Sequence, residues 1–164
     1  MQYGVLSRQS RQEMMESLAA MPEYVAERFA DLSASMRIES GPHGSFAPVE
    51  QVWHLADLEV MGFGERISRL QLEKHPVLPD FAGDEVARQR NYKSLSLADG
   101  LEAFRRARAQ NLDRMAGLTA EEWSHQGEQQ GVGPVSLCDL PAMMAAHDES
   151  HRREIEIWLA FHVQ

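Results

Sequence analysis

The chain has 164 residues, which is most simply one domain spanning 1–164 with a core that needs no disulfide or metal staple. Its 43% hydrophobic residues, 7 prolines and 11 glycines are a globular composition, not that of a disordered chain. A formal charge of −9 repels phosphate backbones and argues against nucleic acid as a partner. The densest basic run, Arg105-Arg106-Ala107-Arg108, lies between Glu102 and Asp113 and reads as a solvated helix face. The single cysteine, Cys138, fits a reducing cytoplasm and reads as a small buried residue. No apolar run approaches the roughly 20 residues of a membrane span, and the N-terminal stretch has no signal-peptide core. The expectation is a cytoplasmic protein that meets neither membrane nor nucleic acid.

Helical periodicity runs almost throughout. A first helix is expected from about Arg8 to Met36, kinked or restarted at Pro22. Glu39 to Phe46 is loop. Pro48 suits the first turn of a second helix, which reaches about Lys74 before His75-Pro76 stops it. Pro79 to Tyr92 is an irregular connection with one short helix over Asp84 to Tyr92. Ser96-Leu97-Ala98-Asp99 forms a capping box for a third helix ending near Ala116, with Gly117 as its stop. Thr119-Ala120-Glu121-Glu122 repeats the pattern for a short turn. Gly127 to Pro134 is loop or a small hairpin, and Ser136 to about Phe161 is the last helix. Four long helices describe an all-α four-helix bundle.

On the last helix, Leu140, Met144, Ile155 and Trp158 form an apolar stripe, with Glu149, Arg152, Arg153 and Glu156 on the opposite face. His147 and His151 fall in the middle of that stripe. Residues four apart on a helix have Cβ atoms about 5–6 Å apart, so both imidazoles can reach one ion. Burying two unpartnered imidazoles is unfavourable, and a shared metal removes the penalty. The pair alone leaves open whether these are ligands or polar residues with carbonyl partners.

A third ligand candidate is His54, in V-E-Q-V-W-H-L-A-D-L-E. It lies beside the stripe of Val49, Trp53, Ala56, Val60, Phe63 and Ile67, on a flank with Glu50, Asp57 and Met61. Glu50 and Asp57, one turn before and after, are placed to bond a ring nitrogen or a substrate, or stand as solvated carboxylates. Glu154, one turn past His151, is a candidate partner or fourth ligand. In an up-down-up-down bundle the second and fourth helices run in the same direction, which brings the three histidines together near one end. His43, His75, His125 and His162 read as surface residues, and the nine methionines as core filler.

The order of P-V-E-Q-V-W-H-L-A-D-L-E, an acidic P-D-F linker, a capped third helix and G-P-V-S-L-C-D-L-P-A-M-M-A-A-H-D-E-S-H resembles the DinB superfamily, also called DinB/YfiT-like. The resemblance runs from about Arg8 to Trp158. It implies a four-helix bundle with a metal site made by His54, His147 and His151. The metal in such proteins is nickel, zinc, iron or manganese, and three neutral imidazoles suit several of these ions. Three protein ligands leave coordination positions open, as in catalytic sites.

Relatives with assigned activities imply a low-molecular-weight-thiol S-transferase, in which a coordinated thiol has a lowered pKa and attacks a small-molecule electrophile. The alternatives are a metal-dependent hydrolase, with Asp57, Glu50 or Glu154 as general base, and a non-catalytic stress-response module. The resemblance further implies a homodimer.

Overall fold

The computed structural model describes residues 3–163. Helix α1 spans Arg8–Phe29, capped by the Ser7 hydroxyl, which accepts from the Ser10 amide. Pro22 lies inside α1 without ending it. The helix stops at Phe29 and does not continue to Met36. In the Asp-Leu-Ser-Ala-Ser segment that follows, the Ser33 hydroxyl accepts from the Met36 amide and Arg37 donates to the Leu32 carbonyl. Such local bonds compete with the helical ladder.

The second helix begins as α2, Pro48–Asp57, widens into a π-helical stretch, Leu58–Gly64, and resumes as α3, Glu65–Leu72. A short strand β1, Val77–Leu78, precedes α4, Gly83–Arg90. Helix α5, Leu97–Ala116, carries the expected Ser96 cap on the Asp99 amide, and α6 spans Leu140–His162. Between α5 and α6, strands β2, Gln126–Gln129, and β3, Gly133–Ser136, form a hairpin turned at Gly131 and Gly133, both at positive φ. Strand β1 joins β2 in parallel, pairing Val77 with Glu128 and Leu78 with Gln129. These strands are only two to four residues long, too short to leave an alternating pattern to read in the sequence. Among the described residues no helix is long and apolar enough to cross a membrane.

Two apolar clusters form the core, and their membership gives the helix directions. One takes Met21, Val25 and Phe29 from α1, Val49 to Ala56 from α2, Leu97 and Phe104 from α5, and Ile155 and Trp158 from α6. The other takes Leu18 from α1, Leu58 to Leu70 from the π stretch and α3, Met115 from α5, and Leu140 and Met144 from α6. Helices α1 and α6 therefore run one way, and α2–α3 and α5 run the other. The up-down-up-down order expected from the sequence is not the one adopted, and α2 and α6 are antiparallel. Residues 73–96 carry the chain back along the bundle before α5 begins. At 1.5 Å per residue the 20 residues of α5 extend about 30 Å, a span that a connection of this length covers.

The inward face of the second helix differs from the expected one. Val60, expected in the core, is 59% exposed, while Glu59 is 2% exposed. Gly64 makes the wide turn possible: a Cβ there would lie 2.7 Å from the Glu59 carbonyl oxygen. Arg108, expected on a solvated face, is also 2% exposed. Cys138 is half-buried, with Sγ accepting from the Gly4 amide at 2.7 Å. His162 packs on Trp158 with ring centroids 4.5 Å apart and bonds the Ser40 carbonyl, so it is anchored, not frayed. Gly64→Ala is expected to destabilise the protein by about 1–3 kcal/mol through overpacking. Urea denaturation measures this, and an unchanged midpoint contradicts the role given to the wide turn.

Candidate metal centre

The three histidines meet in a cleft between α2 and α6, at the boundary of the two apolar clusters. The antiparallel run of these helices sets the pairing: Gln51 faces His151 and Glu154, and one turn on His54 faces His147. The Nε2 atom of His147 lies 3.1 Å from Nε2 of His151 and 3.5 Å from Nε2 of His54. One ring nitrogen from each histidine falls within 4.8 Å of those of the other two. The meeting point lies between the core clusters, not at one end of the bundle.

Orientation of His151 is set from behind. Its Nδ1 lies 2.6 Å from Gln51 Oε1 and 3.1 Å from Glu154 Oε2. The Gln51 amide donates in turn to Glu154 at 2.9 Å, which fixes its oxygen toward the ring. Two acceptors at Nδ1 place a proton there and turn Nε2 toward the other two histidines. His54 is flanked by Phe46 and Phe81, with ring centroids 5.4 and 5.6 Å away, and its Nδ1 is buried without a hydrogen-bond partner. Gly83 at the start of α4 comes so close that a Cβ there would lie 2.8 Å from this nitrogen. Phe63 meets His147 edge-on at 6.2 Å.

Burial, reinforced by His151, pushes the pKa of His54 down to about 4. Burial and the other two histidines push His147 down to about 3. Both rings are therefore neutral at physiological pH and can present lone pairs to a cation. Glu154 is held down to about 2, chiefly by its hydrogen bond with His151 and also by the Gln51 amide, so it is ionised. Nitrogen lone pairs packed this closely repel one another unless a cation or a shared proton lies among them. The donor set fits a divalent ion that accepts imidazole, such as nickel, zinc, iron or manganese.

Of the carboxylates named from the sequence, only Glu154 lines the cleft, together with Gly44, Ser45, Phe46, Ser150 and Asp84. Glu50 instead caps α2, accepting from the Ala47 amide at 2.9 Å. Asp57 is buried away from the cleft, where it accepts from the Tyr92 hydroxyl at 2.6 Å and from Arg90. The placement of both follows from helix geometry: residues 50 and 57 sit on the side of α2 turned to the α4 connection. Sequence reasoning missed Asp84, because nothing in an irregular connection shows that it will fold back over His54.

A family model described as the DinB superfamily matches residues 8–155 of this chain. Among solved structures, the fold is similar to that of YfiT from Bacillus subtilis, described as "a probable metal-dependent hydrolase with an unusual four-helix bundle topology". The TM-score is 0.83 at 13% identity, and the match covers 95% of this chain and 87% of that one. At that identity the likeness is one of fold. No curated protein is a significant match to the sequence.

The depressed histidine pKa values fix how the metal-free protein responds to acid. In the unfolded chain each imidazole takes its proton near the ordinary value of 6.5, whereas folded His54 and His147 resist until about 4 and 3. The stability is complete above 6.5 and is lost as pH falls toward those values. The melting temperature of the metal-free protein is expected to fall steadily from pH 6.5 to 4, and His147→Gln to fall less steeply. A melting temperature that is flat over this window contradicts the buried, neutral imidazoles.

Proposed function

This chain belongs to the DinB superfamily, and from that premise we propose that it is a metal-dependent enzyme that activates a nucleophile against a small-molecule substrate. The observation that carries the reading is the convergence of His54, His147 and His151, each offering a ring nitrogen within 4.8 Å of those of the other two. A divalent cation held by the three rings would act as a Lewis acid, lowering the pKa of a coordinated thiol or water toward neutrality. Three protein ligands leave room for that nucleophile, as in catalytic and not structural sites.

The chain's own residues supply the rest. Gln51 and Glu154 hold a proton on Nδ1 of His151 and turn its Nε2 toward the cleft. Phe46 and Phe81 pack against the His54 ring and hold it in place. The open side is bordered by Ser45, Ser150, Asp84 and Glu154, which meet the substrate.

Two chemistries fit this frame. Thiol S-transfer is supported by the three-histidine set, which leaves coordination positions for a thiol. A coordinated thiol ionises near neutral pH without a base beside it. Hydrolysis is supported by Asp84 and Glu154 on the cleft's border, where a carboxylate can take a proton from water. Low-molecular-weight thiol is a cosubstrate in the first chemistry and irrelevant in the second.

Elemental analysis of protein purified without added metal is expected to find about one divalent ion per chain, and His54→Ala to lose both that ion and turnover. Retained turnover in metal-free His54→Ala contradicts the proposal. An electrophile panel with and without added thiol separates the two chemistries, since hydrolysis proceeds equally in both. Metal that raises the melting temperature while no substrate turns over would favour a non-catalytic module instead.

A further inference from the structure

Behind the histidine cleft a second polar group crosses the core. The Arg108 guanidinium of α5 donates to both carboxylate oxygens of Asp148 at 2.7 and 2.8 Å and to the Leu18 carbonyl at 2.8 Å. It pairs with Glu59 at 2.9 Å and stacks over Phe104. Asn111 completes the group, donating to the Glu59 carbonyl at 2.8 Å and to its carboxylate at 2.7 Å. Arg108, Glu59, Asn111 and Asp148 are each 5% exposed or less.

These carboxylates occupy telling places. Asp148 follows His147 directly in α6, and Glu59 lies five residues past His54, in the π-helical stretch. Arg108 therefore links the two ligand-bearing helices through a third. We propose that Arg108 is a positioning residue for the histidine centre, fixing the rotation of α6 and the spacing between α6 and α2. The inference rests on the metal-centre reading above.

The physical argument has three steps. A guanidinium bonds a carboxylate through two parallel N–H groups, which fixes direction as well as distance. A buried ion pair adds little net stability over apolar side chains of the same volume, so stability alone does not account for a charged group here. Asp148 and His147 are neighbours on one helix, 100° apart, so anchoring one side chain against rotation aims the other. Glu59 continues the buried stripe of Val52, Leu55 and Ala56, which turns its carboxylate to the arginine.

Cobalt(II) titration of the full-length metal-free protein tests this, using binding affinity, visible absorption of the bound ion and the melting temperature. The apolar triple replacement Arg108→Met, Glu59→Leu and Asp148→Leu is expected to melt cooperatively yet bind cobalt at least about tenfold more weakly, with an altered spectrum. Arg108→Lys keeps the charge but loses the fork and is expected to show a smaller loss of the same kind. Arg105→Met, at an exposed position on the same helix, is expected to bind like the parent. Parental affinity and spectrum in the triple variant overturn the inference, and Arg108→Lys decides in the same way if the triple variant does not fold. Failure of the parent protein to bind cobalt removes the metal-centre reading itself, a different result from parental binding in the variants.

Discussion

Three imidazoles held nitrogen to nitrogen in a half-buried cleft are the constraint around which this bundle is arranged. Such an array is unfavourable alone: each ring has left water, and their lone pairs converge at 3.1–3.5 Å. The surrounding structure holds it in place. Apolar clusters lie on both sides along the bundle axis, the Gln51–Glu154 pair fixes one ring, and the segment leading into α4 closes over another. The order of the helices follows the same logic, because antiparallel α2 and α6 bring residues 51–54 level with 154–147.

The fold solves this with a polar layer between two apolar ones. On one side of that layer the histidines open to a cleft, and on the other Arg108 joins Glu59 and Asp148 in the dry core. A single helix serves both, presenting His54 to the cleft and Glu59, five residues on, to the arginine. The long return through β1 and α4 adds the outer wall, held to α2 by Asp57 with Arg90 and Tyr92. Asp57 and Glu50 thus serve the architecture of the cleft from outside it.

Much of this was legible in the sequence where the signal is local. The Ser96 cap, the Pro48 start and the i,i+4 histidines are read from neighbouring residues, and His54 from its place beside an apolar stripe, which the resemblance then reinforced. Helix direction was not legible, since an apolar stripe carries no information about which way its neighbour runs. The connection after Leu72 was visibly long, but up-down order is the simpler assumption and it failed here. Arg108, Glu59 and Asp148 were invisible for another reason: charge normally marks the solvent side, and a buried network reverses that rule only once three helices have met. Val60 was misplaced because the stripe was centred on Trp53, whereas Val52, Leu55 and Ala56 are the buried residues and their repeat leads to Glu59.

X-ray absorption at the metal edge of the zinc-loaded protein tests the central claim most directly, because it counts the ligands around the ion. The account predicts roughly three imidazole nitrogens at about 2.0–2.1 Å, with light-atom ligands filling the remaining position. A sulfur ligand from Cys138, or a shell with no more than one imidazole, would contradict it.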